Sequence, residues 1–164
     1  MTMRKFSAWT IATALGFGLS PVAPGTMGTL VGVAVVYFSN PLQLSWKVLI
    51  WSVLLVSGTW SASVIDQLTH KKDNQKIVID EVVGYGITAW TAQNHWSTLI
   101  AAFLLFRFFD IFKLPPVRQI DQWSKNRTVS KSFWSGFGVM ADDLVAGFQA
   151  LLVILFLQLL QLLP

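Results

Sequence analysis

Charge in this chain is confined to a few short stretches, and the runs between them are almost wholly apolar. Leu44 to Ile65, Trp96 to Phe112 and Leu144 to Leu163 each approach the ~20 residues, range about 17–25, that a helix needs to cross a bilayer. Thr26 to Phe38 and Val82 to Ala92 are shorter runs of the same kind and need flanking residues or a tilted, partly buried path. None of the five alternates polar with apolar residues, so helices are expected and barrel strands are not. The chain is 54% hydrophobic and 12% charged, about half the roughly 25% charged share of a soluble domain. A chain of 164 residues encloses too little volume to hide that much apolar surface, so lipid must cover part of it. The expected fold class is all-α: one domain, residues 1–164, forming an integral membrane helical bundle with about five membrane helices. Lys5 to Leu19 adds an N-terminal helix that lies in the interface or re-enters the membrane. Gly16 and Gly18 interrupt it, so it reads as part of the mature protein and not as a cleaved leader.

The connecting loops sort by charge. Arg4 and Lys5, then Lys71, Lys72 and Lys76, then Arg118, Lys125, Arg127 and Lys131 fall in one set of loops. Ser39 to Gln43, Thr91 to His95 and Leu162 to Pro164 contain no Lys or Arg, and Lys47 is the only cation near them. The positive-inside rule places the first set in the cytoplasm. The net charge of +4 is explained by this topology and by anionic lipid, so no nucleic-acid partner is expected. The chain lacks Cys and has only His70 and His95 as imidazoles. Thiolate sites are excluded and a zinc hydrolase centre is disfavoured, which leaves a hard cation held by oxygen.

The remaining ionisable residues converge on that same membrane face. Asp80 and Glu81 open the third run, Arg107, Asp110 and Lys113 close the fourth, and Asp142 and Asp143 precede the fifth. Ionisable groups at membrane depth are costly and by default mark a functional site. Arg107, Asp110 and Lys113 are spaced by three and are expected on one helix face. Asp80 and Gly84 are four apart, as are Asp143 and Gly147, and a Gly one turn from an acid admits a second helix or a ligand. Five clustered carboxylates repel one another unless a cation offsets them, and magnesium suits such an oxygen-only set. Arg107 and Lys113 are candidates to hold a phosphate. Gly25 and Thr26 are candidates to do so through free backbone N–H groups at a helix start, with Thr26 as N-cap. Acids for a metal beside cations for phosphate indicate phosphoryl chemistry. Taken singly, the acids also fit helix capping or first-turn dipole compensation.

Four blocks at these residues resemble the phosphatidylglycerophosphatase A family: Gly16 to Leu30, Ile79 to Gly86, Phe106 to Asp121 and Gly136 to Gly147. They stand in family order and extend over nearly the whole chain. The resemblance implies a magnesium-dependent lipid phosphatase in the bacterial inner membrane, which acts on phosphatidylglycerophosphate in the bilayer and yields phosphatidylglycerol. It implies metal-binding acids at Asp80, Glu81, Asp110, Asp142 and Asp143, and phosphate-facing groups at Gly25, Thr26, Arg107 and Lys113. Asp80, Asp143, Arg107 and Lys113 are the expected catalytic residues. The chain reads Lys113-Leu114-Pro115-Pro116 where the family commonly has Lys-Pro-x-Pro, so one Pro has moved by a residue. Asp66 and Asp121 are assigned no catalytic role. Rival readings are a small cation transporter, since acids within a bundle also mark ion paths, and a magnesium-dependent lipid phosphotransferase.

Overall fold

The computed structural model describes residues 3–70, 74–126 and 133–164, and all of its regular structure is helical. The helices are α1 Met3–Ala12, α2 Pro24–Ser39, α3 Leu44–Thr69, α4 Ile79–Thr88, α5 Trp96–Phe112, α6 Val117–Lys125 and α7 Phe133–Leu159, with a 3-10 turn at Phe17–Leu19 before α2. Lys71, Lys72, Asp73, Arg127 and Lys131 lie outside the described residues.

Two helices, α3 with 26 residues and α7 with 27, are long and apolar enough to cross a membrane. They contain the expected runs Leu44 to Ile65 and most of Leu144 to Leu163. The other three runs form helices of 16, 17 and 10 residues. The ten-residue α4 rises only about 15 Å against a hydrocarbon core of about 30 Å. The reason it can be so short is packing. Eight of its residues are buried, so neighbouring protein packs around it. The N-terminal segment departs from a single helix over Lys5 to Leu19. It ends as α1 at Ala12 and turns at Gly16, whose φ of 100° lies in the left-handed region that glycine tolerates.

Small residues let the helices close on α4. Gly28 and Gly32 of α2 face Val78 and Tyr85, and Gly58 of α3 faces Ile79. A close backbone-to-backbone approach is to α7, where a Cβ at Gly147 would overlap the Gly84 carbonyl. The Thr88 hydroxyl spans this crossing, donating toward the carbonyls of Gly84 and Gly147 at 3.1 and 3.2 Å. Apolar side chains fill both sides of α4. Ala8, Ile65, Val78, Val82 and Met140 lie on one side, and Tyr85, Leu99, Phe106, Ala146 and Ile154 on the other.

The two loop classes occupy opposite ends. At one end Lys47 donates to Asn40 Oδ1 at 3.0 Å, Asn40 Nδ2 donates to Asn94 Oδ1 at 2.8 Å, and Thr91 donates to Gln158 Oε1 at 2.9 Å. At the other end the Val78 amide donates to the Ala12 carbonyl at 2.8 Å, and Lys113 meets Asp142.

The run before Leu144 is where structure and expectation part. Asp142 and Asp143 are not at a helix start, because α7 begins at Phe133 and continues through them. The residues Gly136 and Gly138 make this stretch resemble a loop. They are instead packing positions, Gly136 against the Thr59 carbonyl of α3 and Gly138 against Ser124 of α6. The acids thus sit inside α7, about two and a half turns from its start.

Gly147→Ala is expected to destabilise the fold, since overpacking of this kind costs about 1–3 kcal/mol. Thermal unfolding in detergent should fall by several degrees. Val53→Ala, on the exposed face of α3, should leave it near the native value. An unchanged midpoint for Gly147→Ala would remove the close crossing from the account.

Candidate active site

The site forms where the starts of α2 and α4, the end of α5 and the interior of α7 meet. Asp80 and Glu81 lie in the first turn of α4, whose N-cap Val78 offers no side-chain cap. The Glu81 amide donates to Asp80 Oδ1 at 3.1 Å. From α7, Asp143 reaches the same point: one carboxylate oxygen each from Asp80, Glu81 and Asp143 lies within 4.8 Å of the others. Asp80 and Asp143 are buried, at 8% and 4% exposure. Asp110 stands in the last turn of α5.

The cations divide between two sets of acids. Arg107 Nη1 donates to Asp110 Oδ2 at 2.6 Å. Lys113 Nζ donates to Asp142 Oδ2 at 2.7 Å and to Asp121 Oδ1 at 2.5 Å. Lys125 also reaches Asp121, at 2.9 Å. Lys113 therefore does not share a helix face with Arg107 and Asp110. The helix stops at Phe112, and Lys113 caps it in a left-handed conformation with φ of 46°, which swings its side chain toward α6 and α7. Asp121, given no role from sequence, anchors Lys113. The signal was present only as an acid in the short amphipathic segment after the prolines, with nothing to show which way that segment turned.

Electrostatics around Asp121 and Lys113 follow these pairings. Burial raises the pKa of the Asp121 carboxyl, but hydrogen bonds from Lys113 and Lys125 outweigh it and hold the value below the ordinary 3.8. Burial disfavours the Lys113 ammonium, but Asp142 and Asp121 overcome it and hold its pKa above the ordinary value.

The start of α2 completes the site. Its N-cap is Ala23, with Pro24 at the first helical position, so Thr26 is a first-turn residue and not the cap. Gly25 lies directly against the site: a Cβ there would overlap Glu81 Oε1 and stand 3.0 Å from Arg107 Nη1. Its glycine identity keeps that approach open. The N–H groups of Gly25 and Thr26 belong to the first helical turn, which lacks intrahelical partners.

The donor set fits a hard divalent cation. It is all carboxylate oxygen, three acids are packed together in a largely buried position, and Glu81 Oε2 is buried with no hydrogen-bond partner. Burying such charges is costly unless something pairs them. Asp80, Glu81 and Asp143 would hold the ion. Among the other two expected ligands, Asp110 is held by Arg107 and Asp142 by Lys113.

The sequence matches the family described as Phosphatidylglycerophosphatase A over residues 10–158. The chain belongs to the phosphatidylglycerophosphatase A family. A Phosphatidylglycerophosphatase A of Escherichia coli is 32% identical over 142 residues, covering 84% of this chain and 75% of that protein. Another, of Haemophilus influenzae, is 33% identical over 152 residues, covering 90% and 86%. A Bacteroides thetaiotaomicron protein named "Putative phosphatidylinositol-3-phosphatase" is 32% identical over 164 residues, covering 94% and 95%. No solved structure matches the chain.

Because the Asp121 carboxyl is held below its ordinary pKa, its contribution to stability is full above that value and is lost as pH falls through the depressed one. Asp121→Asn should therefore lower the unfolding midpoint at pH 7 and flatten its fall below about pH 4. Parallel pH profiles for native and variant protein would show the pairing to be unimportant.

Proposed function

We propose that this protein hydrolyses the terminal phosphate monoester of phosphatidylglycerophosphate, giving phosphatidylglycerol and inorganic phosphate in glycerophospholipid synthesis. Family membership supports the reaction class. The observation that carries the residue assignment is the meeting of Asp80, Glu81 and Asp143 beside Arg107 and the start of α2.

Magnesium held by Asp80, Glu81 and Asp143 would polarise a phosphoryl oxygen and offset the charge of the acids. Arg107 orients the phosphoryl group by paired hydrogen bonds and stabilises the charge that develops on it. The first-turn N–H groups of Gly25 and Thr26 favour the same anion. Asp110 fixes the Arg107 guanidinium through the 2.6 Å contact. Lys113, engaged by Asp121 and Asp142, acts one step back: it neutralises Asp142 and so limits repulsion on Asp143. Asp80 or Asp143 supplies the remaining function, either orienting the attacking water or attacking phosphorus to give an aspartyl-phosphate. Labelled phosphate trapped on the protein would reject the direct water route. In either case the bond from phosphorus to the glycerol oxygen breaks and that oxygen takes up a proton; on the second route water then cleaves the aspartyl-phosphate, releasing inorganic phosphate and restoring the carboxylate.

The protein resides in the bacterial inner membrane and crosses it several times, with the site facing the cytoplasm. Support comes from the cation-bearing loops at the site end and from the large exposed apolar surface of α3, α5 and α7. A cation transporter is disfavoured because, among the described residues, no Asp or Glu lies at the opposite end or along a path to it.

Phosphate release by purified protein in detergent tests the proposal. Release from phosphatidylglycerophosphate should require magnesium, cease with chelator, and fall at least about a hundredfold in Asp143→Asn. Phosphatidylinositol 3-phosphate, the substrate class in the Bacteroides relative's name, serves as the competing head group. No release by well-folded native protein with any divalent cation would end the phosphatase reading.

A further inference from the structure

We propose that the groove between α2 and α5 seats one acyl chain of the lipid substrate, an inference that rests on the lipid phosphatase reading above. The two helices are antiparallel neighbours pinned at both ends. Gly25 at the start of α2 lies against Arg107 near the end of α5. Tyr37 near the end of α2 stacks on Trp96 at the start of α5, with ring centroids 5.6 Å apart and planes inclined by 26°. Between these pins the helices part, leaving a groove of about 250 Å³ lined by Leu30, Val33, Trp96, Leu99, Ile100 and Phe103.

Three features select an acyl chain as the occupant. The lining offers no charged side chain, and its exposed residues Leu30 and Ile100 open it sideways into the apolar surroundings. It lies close to the phosphate site: Leu30 is five residues from Gly25 and Phe103 four from Arg107, so each lies about 6–8 Å along its helix from the site. A lipid whose phosphate sits at Arg107 must send its chains away from the charged end. Along α5 the path from Arg107 to Trp96 is about 16 Å, and the stacked Tyr37 and Trp96 stand at its far end. Two other grooves lie elsewhere. One, lined by Phe6, Trp9, Leu15, Leu19 and Lys76, flanks α1, and the other, lined by Val35, Phe38, Leu42 and Ile50, lies between α2 and α3. Neither lies between α2 and α5, the two helices that bring Gly25 and Arg107 together.

The groove thus makes the enzyme selective for long-chain lipid over short-chain phosphomonoesters. The test compares kcat/KM for dioleoyl and dihexanoyl phosphatidylglycerophosphate, both dispersed in the same detergent. Val33→Trp fills the groove and should lower the dioleoyl-to-dihexanoyl ratio about tenfold, the effect of losing roughly two buried methylenes. Val53→Trp on the exposed face of α3 should leave the ratio at the native value. An unchanged ratio in Val33→Trp, or an equal fall in Val53→Trp, overturns the proposal. A second readout needs no variant and no turnover. Dioleoyl phosphatidylglycerophosphate carrying a diazirine in one chain should label α2 and α5 of native protein. Excess unlabelled lipid of the same head group should suppress that labelling, and excess phosphatidylcholine should not. Specific labelling elsewhere, or none that the head group competes for, also overturns it. Failure of native protein to release phosphate from either lipid would count against the hydrolysis reading alone, since the labelling result still decides the groove.

Discussion

Two glycines bring the backbones of α4 and α7 into contact, and the placement of the acids depends on that contact. Gly84 and Gly147 meet where a Cβ on either would collide with the other helix or its neighbours. From this crossing both helices lead back toward the charged end. One turn back, α4 carries Asp80 and α7 carries Asp143, so two residues 63 positions apart in sequence become neighbours. A bulkier crossing would separate them and dissolve the three-carboxylate group. The same crossing explains why a ten-residue helix suffices for α4. Eight of its ten residues are buried against its neighbours, so packing and not length holds it in place.

Charge balance organises what surrounds the crossing. Asp80, Glu81, Asp110, Asp142 and Asp143 outnumber Arg107 and Lys113, and Lys113 is shared with Asp121. Arg107 takes Asp110 and Lys113 takes Asp142, which leaves Asp80, Glu81 and Asp143 to one another. Asp80 and Asp143 are buried, and one buried Glu81 oxygen lacks a partner. Buried like charges in this arrangement call for a counter-ion, and an oxygen-only donor set of three carboxylates suits a hard divalent one. The groove between α2 and α5 adds an apolar surface near the polar site, as a substrate with a phosphate at one end and hydrocarbon at the other requires.

Much of this arrangement was legible before any coordinates. Apolar runs gave the helices, and charge sorting separated the two ends, since both signals are local in sequence. The spacing of Asp80 to Gly84 and of Asp143 to Gly147 signalled close approach, and the two glycines turn out to meet each other. The rest turned on information that is not local. The stretch Gly136 to Ala141 looks like a loop until Thr59 and Ser124 are seen to occupy the space left by Gly136 and Gly138. The left-handed turn at Lys113 is set by the path into α6, and without it Lys113 would sit on the face of Arg107. Thr26 reads as a cap by residue type, but Pro24 already occupies the first helical position. The number of membrane crossings was least legible, because a short apolar helix such as α4 has the composition of a span and the burial of a core element.

We propose that Asp80, Glu81 and Asp143 together hold one divalent cation next to Arg107. Manganese, a paramagnetic stand-in for magnesium, tests it directly when its binding to native protein and to Glu81→Gln is followed by electron paramagnetic resonance without substrate. The account predicts a bound signal in native protein, displaced by excess magnesium and at least about tenfold weaker in affinity in the variant. Equal binding to both proteins, or no binding to native protein, would contradict it.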